Sequence, residues 1–269
     1  MNRTAVLDAL FEQWNSLDDV LSGLNSDDWY APTSLPGWTV HDIAAHIIGT
    51  ESLLAGIAPP HTSIDVRVLP HVHNEIGAFN EEWVEGLRGE SGAALLERFR
   101  EIVARRRSDL AAMSDEDFEA ETTTPVGPAP YSRFMRIRVF DCWMHELDID
   151  DALNRTRDET GLRSEVAFEE LIALVGYAVG KKAKAPTGTR VVFALSGPMA
   201  CRILVSVDER ASVVSELPSP ATVTIGMDAR LFTRLAGGRT FARDHRSDIT
   251  LDGDTVVGTS IVDNLAFTI

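Results

Sequence analysis

The stretch YSRFMRIRVFDCWMHELDIDDAL, residues 131–153, decides the fold class of the first part of the chain. It predicts one long helix, because it contains no proline or glycine after its start and its apolar residues recur at helical spacing. Asp141 and His145 are four residues apart and Asp148 follows three residues later, which places all three on one helix face. Apolar residues border this polar stripe: Phe134, Ile149 and Ala152. Such a stripe is typical of a bundle helix that turns ligands inward.

The rest of the first two thirds also predicts helices. Near the N-terminus, apolar residues recur at steps of three and four: Val6, Leu7, Leu10, Trp14, Leu17, Leu21 and Leu24. Further helices are expected at about residues 39–54, 74–87 and 91–113. The helix at about residues 39–54 is expected to begin at Thr39, because Thr39 and Asp42 resemble a capping box. Prolines and glycines predict loops at 27–38 and 55–70, and an irregular segment at 122–130.

The last third changes character. After a helix near residues 164–179, short β-rich runs are expected at 190–195, 203–207, 212–215 and 222–225. A short helix near 229–236, another strand and a final helix follow. Helices followed by strands favour an α+β chain with two domains, a helical bundle over residues 1–157 and a small α+β domain over residues 158–269.

Composition narrows the possible partners. The 269 residues carry a formal net charge of −16, which argues against nucleic acid or an anionic membrane as a partner. No apolar run approaches the ~20 residues of a membrane span, and the N-terminus lacks the pattern of a signal peptide. The two cysteines, Cys142 and Cys201, lie far apart and predict no disulfide framework. We therefore expect a cytoplasmic protein.

A histidine from a second helix would complete a metal site with Asp141 and His145. The helix that follows Thr39 carries His41 and His46 at opposite edges of its apolar stripe, and periodicity alone does not choose between them. One carboxylate and two histidines suit zinc or a similar divalent ion, and three protein ligands leave a position open. The alternative is a surface Asp–His pair and a hydrogen-bonded core histidine.

Several segments resemble one protein family. LPGWTVHDIAAHIIGTE (residues 35–51), AFNEEWVEGLRG (78–89) and RVFDCWMHELDI (138–149) resemble helices of the mycothiol-dependent maleylpyruvate isomerase family, one of the DinB-like metal-binding four-helix bundles. LFTRLAGGR (231–239) and LDGD (251–254) resemble its small sterol-carrier-like C-terminal domain. The resemblance covers nearly the whole chain and implies the same two-domain fold.

The resemblance implies a metal triad. The family's three ligands fall on His46, Asp141 and His145, which favours His46 over His41. The characterised isomerase type carries Glu as its acidic ligand, so Asp141, which is one methylene shorter, departs from that pattern.

The resemblance also implies residues around the metal. The family's aspartate three residues after the last ligand falls on Asp148, which is expected to be catalytic by moving a proton or orienting a ligand. The family's functional arginine near the end of the C-terminal domain falls on Arg239, also expected to be catalytic. Asn80 and Arg88 lie on the helix whose family counterpart helps to line the pocket, and they are expected to bind the thiol cosubstrate. Surface positions are the alternative for Asn80 and Arg88.

The activity implied by the resemblance is metal-dependent and uses mycothiol. A divalent ion, expected to be zinc, would activate this low-molecular-weight thiol for addition to a small electrophile. The result is cis–trans isomerisation if the thiol leaves after bond rotation, and S-transfer if it stays. Cys142 is expected to be a core residue, not the reacting thiol. The alternatives are a non-catalytic protein that senses metal or thiol or binds a small ligand, and a metal-dependent hydrolase.

Three other features carry expectations of their own. Trp38 is expected to anchor the start of a helix by packing, with ligand stacking as the alternative. Three histidines, His61, His71 and His73, are expected in a solvated loop, although they could also line the metal site or form a second one. The basic run Arg105–Arg107 is expected to form a solvated helix face.

Overall fold

A computed structural model describes residues 2–267. Contacts between Cα atoms divide the chain into two compact units, Met1–Asp158 and Glu159–Ile269. The first unit is mainly helical, and the second contains a five-stranded sheet with helices. The α+β class predicted from the sequence is therefore confirmed. No helix among the described residues is both long enough and apolar enough to span a membrane.

The described part of the helical unit contains six α-helices. These are α1 (Arg3–Ser22), α2 (Val40–Leu54), α3 (Glu75–Leu87), α4 (Gly92–Ala112), α5 (Asp115–Glu119) and α6 (Tyr131–Ala152). The four longest of them pack in a closed ring, since α1 and α2 each contact both α4 and α6. Helix α3 packs against the outside of this ring on α2. Large side chains such as Trp14, Phe99 and Trp143 fill the interior.

Local sequence determines where these helices start. The Asn2 side chain accepts a hydrogen bond of 2.9 Å from the Ala5 N–H at the start of α1. At the start of α2, the Thr39 N–H donates to the Asp42 carboxylate over 2.8 Å, which is the reciprocal cap that the sequence predicts. Helix α6 is buried on every side from Cys142 to Asp150. Its polar residues in this stretch therefore lie inside the unit.

The segment at 122–130 is a β-hairpin, so the expectation of irregular structure there was wrong. Strand β1 (Glu121–Thr124) pairs antiparallel with β2 (Gly127–Pro130). A two-stranded ribbon has two open edges, so prolines in β2 can sit where no ladder hydrogen bond is required. Gly127 has φ +96°, a left-handed conformation that favours glycine, and it closes the turn.

The second unit contains helix α7 (Leu162–Tyr177), strands β3 (Arg190–Ser196), β4 (Arg202–Val207), β5 (Ala211–Val214) and β6 (Val223–Asp228), helix α8 (Ala229–Ala236), strand β7 (Thr250–Gly253) and helix α9 (Thr255–Asp263). The strand order is β5-β4-β3-β6-β7, and β3–β6 is the parallel pair, while the other three neighbouring pairs among these strands are antiparallel. Helix α7 packs on β4 and β5, whereas α8 packs on β3 and β6. Phe168, Phe193 and Phe232 meet edge to face in the core.

Candidate metal centre

Helices α2 and α6 bring three potential metal ligands together. His46 comes from α2, and Asp141 and His145 come from one face of α6. One potential ligand atom from each side chain lies within 4.8 Å of the other two. His46 Nε2 is 3.2 Å from Asp141 Oδ2, and His145 Nε2 is 3.7 Å from Asp141 Oδ1. The structure thus assembles the triad that the sequence analysis placed on these positions.

The donor set fits a first-row divalent cation. Two imidazole nitrogens and one carboxylate are ligands that zinc accepts, and three protein ligands leave a position for a small molecule. His46 and His145 are only 5% and 7% exposed, but the Asp141 side chain is 29% exposed. The cluster is therefore enclosed by protein on the histidine side and partly accessible at the carboxylate. This arrangement suits a site that admits an external ligand.

Asp148 lies behind His145. Its Oδ2 atom is 3.0 Å from His145 Nδ1, and its side chain is buried. A carboxylate that accepts a hydrogen bond from Nδ1 fixes the ring orientation and keeps the proton off Nε2, the nitrogen that faces Asp141. Asp148 therefore acts on the cluster through His145.

The surroundings of His46 and Asp141 shift their pKa values toward the protonation states that bind metal. Burial lowers the pKa of His46 and so favours its neutral ring, and its buried Nδ1 has no hydrogen-bond partner among residues 2–267. Burial opposes ionisation of Asp141, yet the nearby Arg138 guanidinium and the two histidines hold the pKa of this carboxyl well below its usual range. A neutral imidazole and an ionised carboxylate are the forms that bind metal.

A buried ionic chain supports Asp141 from the inside. Arg138 Nη1 contacts Asp141 Oδ2, and Arg138 Nε donates to Glu51 Oε1 over 2.9 Å. Arg106 Nε donates to the other Glu51 oxygen over 3.1 Å, and Arg106 also donates to the Tyr131 hydroxyl. The chain therefore runs from α6 to α2 and on to α4. Sequence reasoning missed Glu51 and Arg138, although a glutamate within the apolar part of α2 was a signal for buried pairing.

Arg106 corrects one expectation. The basic run Arg105–Arg107 was expected to be a solvated helix face, but Arg106 is almost completely buried. Only its neighbours reach the surface: Arg105 is mostly exposed, and Arg107 lies over the rings of Phe11 and Trp14. Successive helix positions point about 100° apart, so a run of three like charges spans different environments.

Trp38 forms a wall of the cluster. Its ring centroid lies 5.3 Å from that of His46 and 6.1 Å from that of His145. Its Nε1–H donates a hydrogen bond of 2.9 Å to the buried carboxylate of Glu81. This contact fixes the indole against both histidines, a more specific role than packing at the start of α2.

His71 is the loop histidine that approaches this wall. Its Nε2 lies 3.3 Å from Glu81 Oε1, and its ring covers Gly37, where a Cβ would come within 3.0 Å of the imidazole. His61 and His73 are exposed, as expected for a solvated loop. None of the three loop histidines belongs to the described cluster of His46, Asp141 and His145.

The remaining predicted residues occupy distinct places. Arg88 pairs with Asp42 over 3.1 Å and with Glu85 over 2.8 Å, and Asn80 lies half-buried on α3. Arg239 belongs to the second unit, where its guanidinium donates to the Gly237 carbonyl. His41, the alternative to His46, is buried with Nε2 2.9 Å from the Glu90 carbonyl oxygen.

Cys142 is a buried residue of α6, as the sequence analysis expected. Burial raises the pKa of its thiol, so the thiol stays protonated at neutral pH. It is therefore unsuited to act as the nucleophile next to Asp141.

Two family models match the chain. The mycothiol maleylpyruvate isomerase N-terminal domain matches residues 10–150, and the C-terminal domain of the same family matches residues 165–257. Among curated proteins, uncharacterized proteins from two Mycobacterium tuberculosis strains are 27% identical over 146 residues, which is 54% of this chain. The chain spans about half the length of these relatives, since the match covers 55% of each.

Solved structures agree with these matches at the level of fold. The crystal structure of the mycothiol-dependent maleylpyruvate isomerase superposes with a TM-score of 0.62 at 20% sequence identity, covering 94% of this chain and 93% of that one. A histidine-to-alanine mutant of the same enzyme gives a TM-score of 0.61 at the same identity and coverage. Identity at this level shows a shared fold.

Proposed function

Since the chain belongs to the mycothiol maleylpyruvate isomerase family, we propose that it is a metal-dependent isomerase that uses mycothiol as cosubstrate. The single observation that carries this proposal is the convergence of His46, Asp141 and His145 between α2 and α6. Two histidine nitrogens and one carboxylate with partial access to solvent form a typical catalytic zinc site. We propose zinc as the metal.

We propose a separate role in metal binding, ligand orientation or substrate binding for each of the chain's site residues. His46, Asp141 and His145 hold the metal, which when bound lowers the pKa of a coordinated thiol. Asp148 holds the proton on His145 Nδ1, and Trp38 limits the access of water to the histidine side. We assign Asn80 and Arg88 to binding of the thiol, and Arg239 to pairing with a carboxylate of the thiol or substrate.

Besides the metal, the reaction needs the external thiol and a small electrophile whose cis double bond is conjugated to a carbonyl. The thiolate sulfur forms a bond to one alkene carbon, and the electron pair of the double bond moves toward a conjugated carbonyl. After rotation about the resulting single bond, the electron pair returns to re-form the double bond and the carbon–sulfur bond breaks, which releases the thiolate and yields the trans isomer. If the enolate formed by the addition instead takes up a proton, the carbon–sulfur bond is retained and the protein is an S-transferase.

Metal analysis with a thiol-binding assay tests the proposal. We expect the full chain to bind about one Zn²⁺, and we expect mycothiol to raise the melting temperature of the zinc-loaded protein, because a ligand that binds only the folded state stabilises it. His46→Ala should abolish both effects. His41→Gln is the matched control, since His41 is a buried histidine on the same helix that bonds a backbone carbonyl.

The results that oppose the proposal are specific. Wild-type zinc content in His46→Ala would show that the triad is wrong. A mycothiol-induced shift with no turnover of any unsaturated 2-oxo acid would favour a sensor over an enzyme. Release of hydrolysis products by the zinc-loaded protein without mycothiol would favour a hydrolase.

A further inference from the structure

The buried side chain of Arg138 contacts the Asp141 carboxylate from the protein interior. Arg138, one turn earlier on α6, contacts Oδ2 through Nη1. The same Oδ2 lies 3.2 Å from His46 Nε2, whereas Oδ1 faces His145 Nε2. An aspartate side chain can adopt several rotamers about its two single bonds unless a partner fixes one of them. Arg138 is therefore in the position to set how Asp141 presents its oxygens to the two histidines.

Arg138 is itself fixed in place by its other contacts. Its Nε donates to Glu51 over 2.9 Å, and its Nη2 lies 3.3 Å from the Cys142 sulfur. Its three nitrogens thus have three separate partners on two helices. A planar guanidinium can serve such partners at once, whereas the single ammonium of lysine cannot.

Glu51 anchors this arrangement and provides an internal comparison. It is completely buried and divides its two oxygens between Arg138 and Arg106. The two arginines are matched in burial and share the same carboxylate, but only Arg138 also contacts Asp141. Any effect of general stability should appear in both arginines, and an effect on the ligand should appear in Arg138 alone.

We propose that Arg138, held by Glu51, is a positioning residue for the metal ligand Asp141. By holding one carboxylate oxygen, Arg138 prevents rotation of the Asp141 side chain, which is one methylene shorter than glutamate. The ligand cluster is therefore formed before the metal binds. Groups that orient metal ligands commonly contribute tenfold to hundredfold in affinity. The inference rests on the proposed function, because it requires that Asp141 binds metal.

Zinc affinity of the full chain provides the test. Zn²⁺ is titrated into the metal-free protein in competition with a chromophoric chelator, and no substrate is needed. Arg138→Lys keeps the positive charge but loses the three-way contact, so we expect Zn²⁺ binding to weaken about tenfold or more. The control Arg106→Lys makes the same chemical change on the other side of Glu51 and should shift the affinity by less than about threefold.

A second variant keeps the test decisive if Arg138→Lys does not fold. Glu51→Gln retains the size and an acceptor oxygen but removes the anion that holds Arg138 in place beside Asp141, so we expect weaker Zn²⁺ binding than in the control. Melting temperatures of the metal-free variants verify folding. Equal losses in Arg138→Lys and Arg106→Lys, or wild-type affinity in both Arg138→Lys and Glu51→Gln, would overturn the inference. Absence of Zn²⁺ binding by the wild type would overturn the metal centre itself.

Discussion

Two arginine–carboxylate groups in the helical unit have similar distances but very different surroundings. Arg100 on α4 contacts Asp18 on α1 over 2.6 Å, with both side chains about 40% exposed (44% and 35%). Arg106 and Arg138 contact Glu51 over 3.1 and 2.9 Å, with side chains no more than 2% exposed. Water solvates the first pair but is excluded from the second group. Burial, and not distance, therefore decides what each contributes to the fold.

The largest expected effect comes from removing the buried anion. Glu51→Leu leaves two buried guanidinium groups without their shared partner, and removal of one partner from a buried ionic group costs about 3–5 kcal/mol. Urea denaturation followed by circular dichroism measures the loss in unfolding free energy. Glu97→Leu, an exposed glutamate paired with Arg100, is the control and should stay close to the wild type. Equal stability of the two variants would refute the role assigned to burial.

An intermediate effect is expected where only the carboxylate is buried. Asp42 is buried at the start of α2, while the side chain of its partner Arg88 is 41% exposed. Burial opposes ionisation, but hydrogen bonds from His41 and Thr39 and the charge of Arg88 lower the pKa of Asp42. Asp42→Asn weakens this cap, and loss of a cap of this kind costs about 1 kcal/mol near neutral pH.

The lowered pKa of Asp42 also predicts how the stability difference between wild type and Asp42→Asn changes with pH. A carboxyl whose pKa is lower in the folded state stabilises the protein above its unfolded pKa of about 3.9, and this stabilisation is lost as the pH falls through the folded value. The gap in unfolding free energy between wild type and Asp42→Asn should therefore narrow in acid. Measurement by urea denaturation across this range checks it, and a gap that is constant with pH would contradict the lowered pKa.

The smallest effect is expected at the surface pair. Asp18→Asn removes a contact that water largely replaces, so the urea midpoint should remain within error of the wild type. Any residual difference should disappear at high salt, because ions screen exposed charges. A large, salt-independent loss would show that this pair is more enclosed than its exposure indicates.

The sequence predicted much of the helical unit because its signals are local. Helical spacing of apolar residues indicated the long helices, and the Thr39–Asp42 pair indicated the start of α2. The same reasoning failed at residues 122–130, where proline and glycine suggested an irregular segment and the structure forms a hairpin. The number of prolines and glycines in a segment does not show whether each proline lies at a strand edge, where a β-strand tolerates it.

The candidate site was predictable only in part, for the same reason. The i, i+4 spacing of Asp141 and His145 placed them on one face of α6, yet spacing left His41 and His46 open, and only the family resemblance separated them. Glu51, Arg138, Glu81 and Trp38 complete the surroundings of the cluster, and they were absent from the predicted site. The contacts of Trp38 with Glu81 and of Glu51 with Arg106 and Arg138 join residues 43–87 positions apart, which no local pattern reports. The contact between Arg138 and Asp141 spans three residues of α6, but spacing alone does not show that it is buried.

The sequence by itself determined the α+β class, the main helices and the side chains able to bind metal, because these follow from short-range spacing and residue chemistry. Tertiary structure decided which face of α2 meets α6, and hence that His46 approaches Asp141 while His41 bonds a backbone carbonyl. It also decided that one arginine of three adjacent ones is buried against Glu51. These outcomes depend on helix packing, which determines which side chains lose water and must find partners inside the protein.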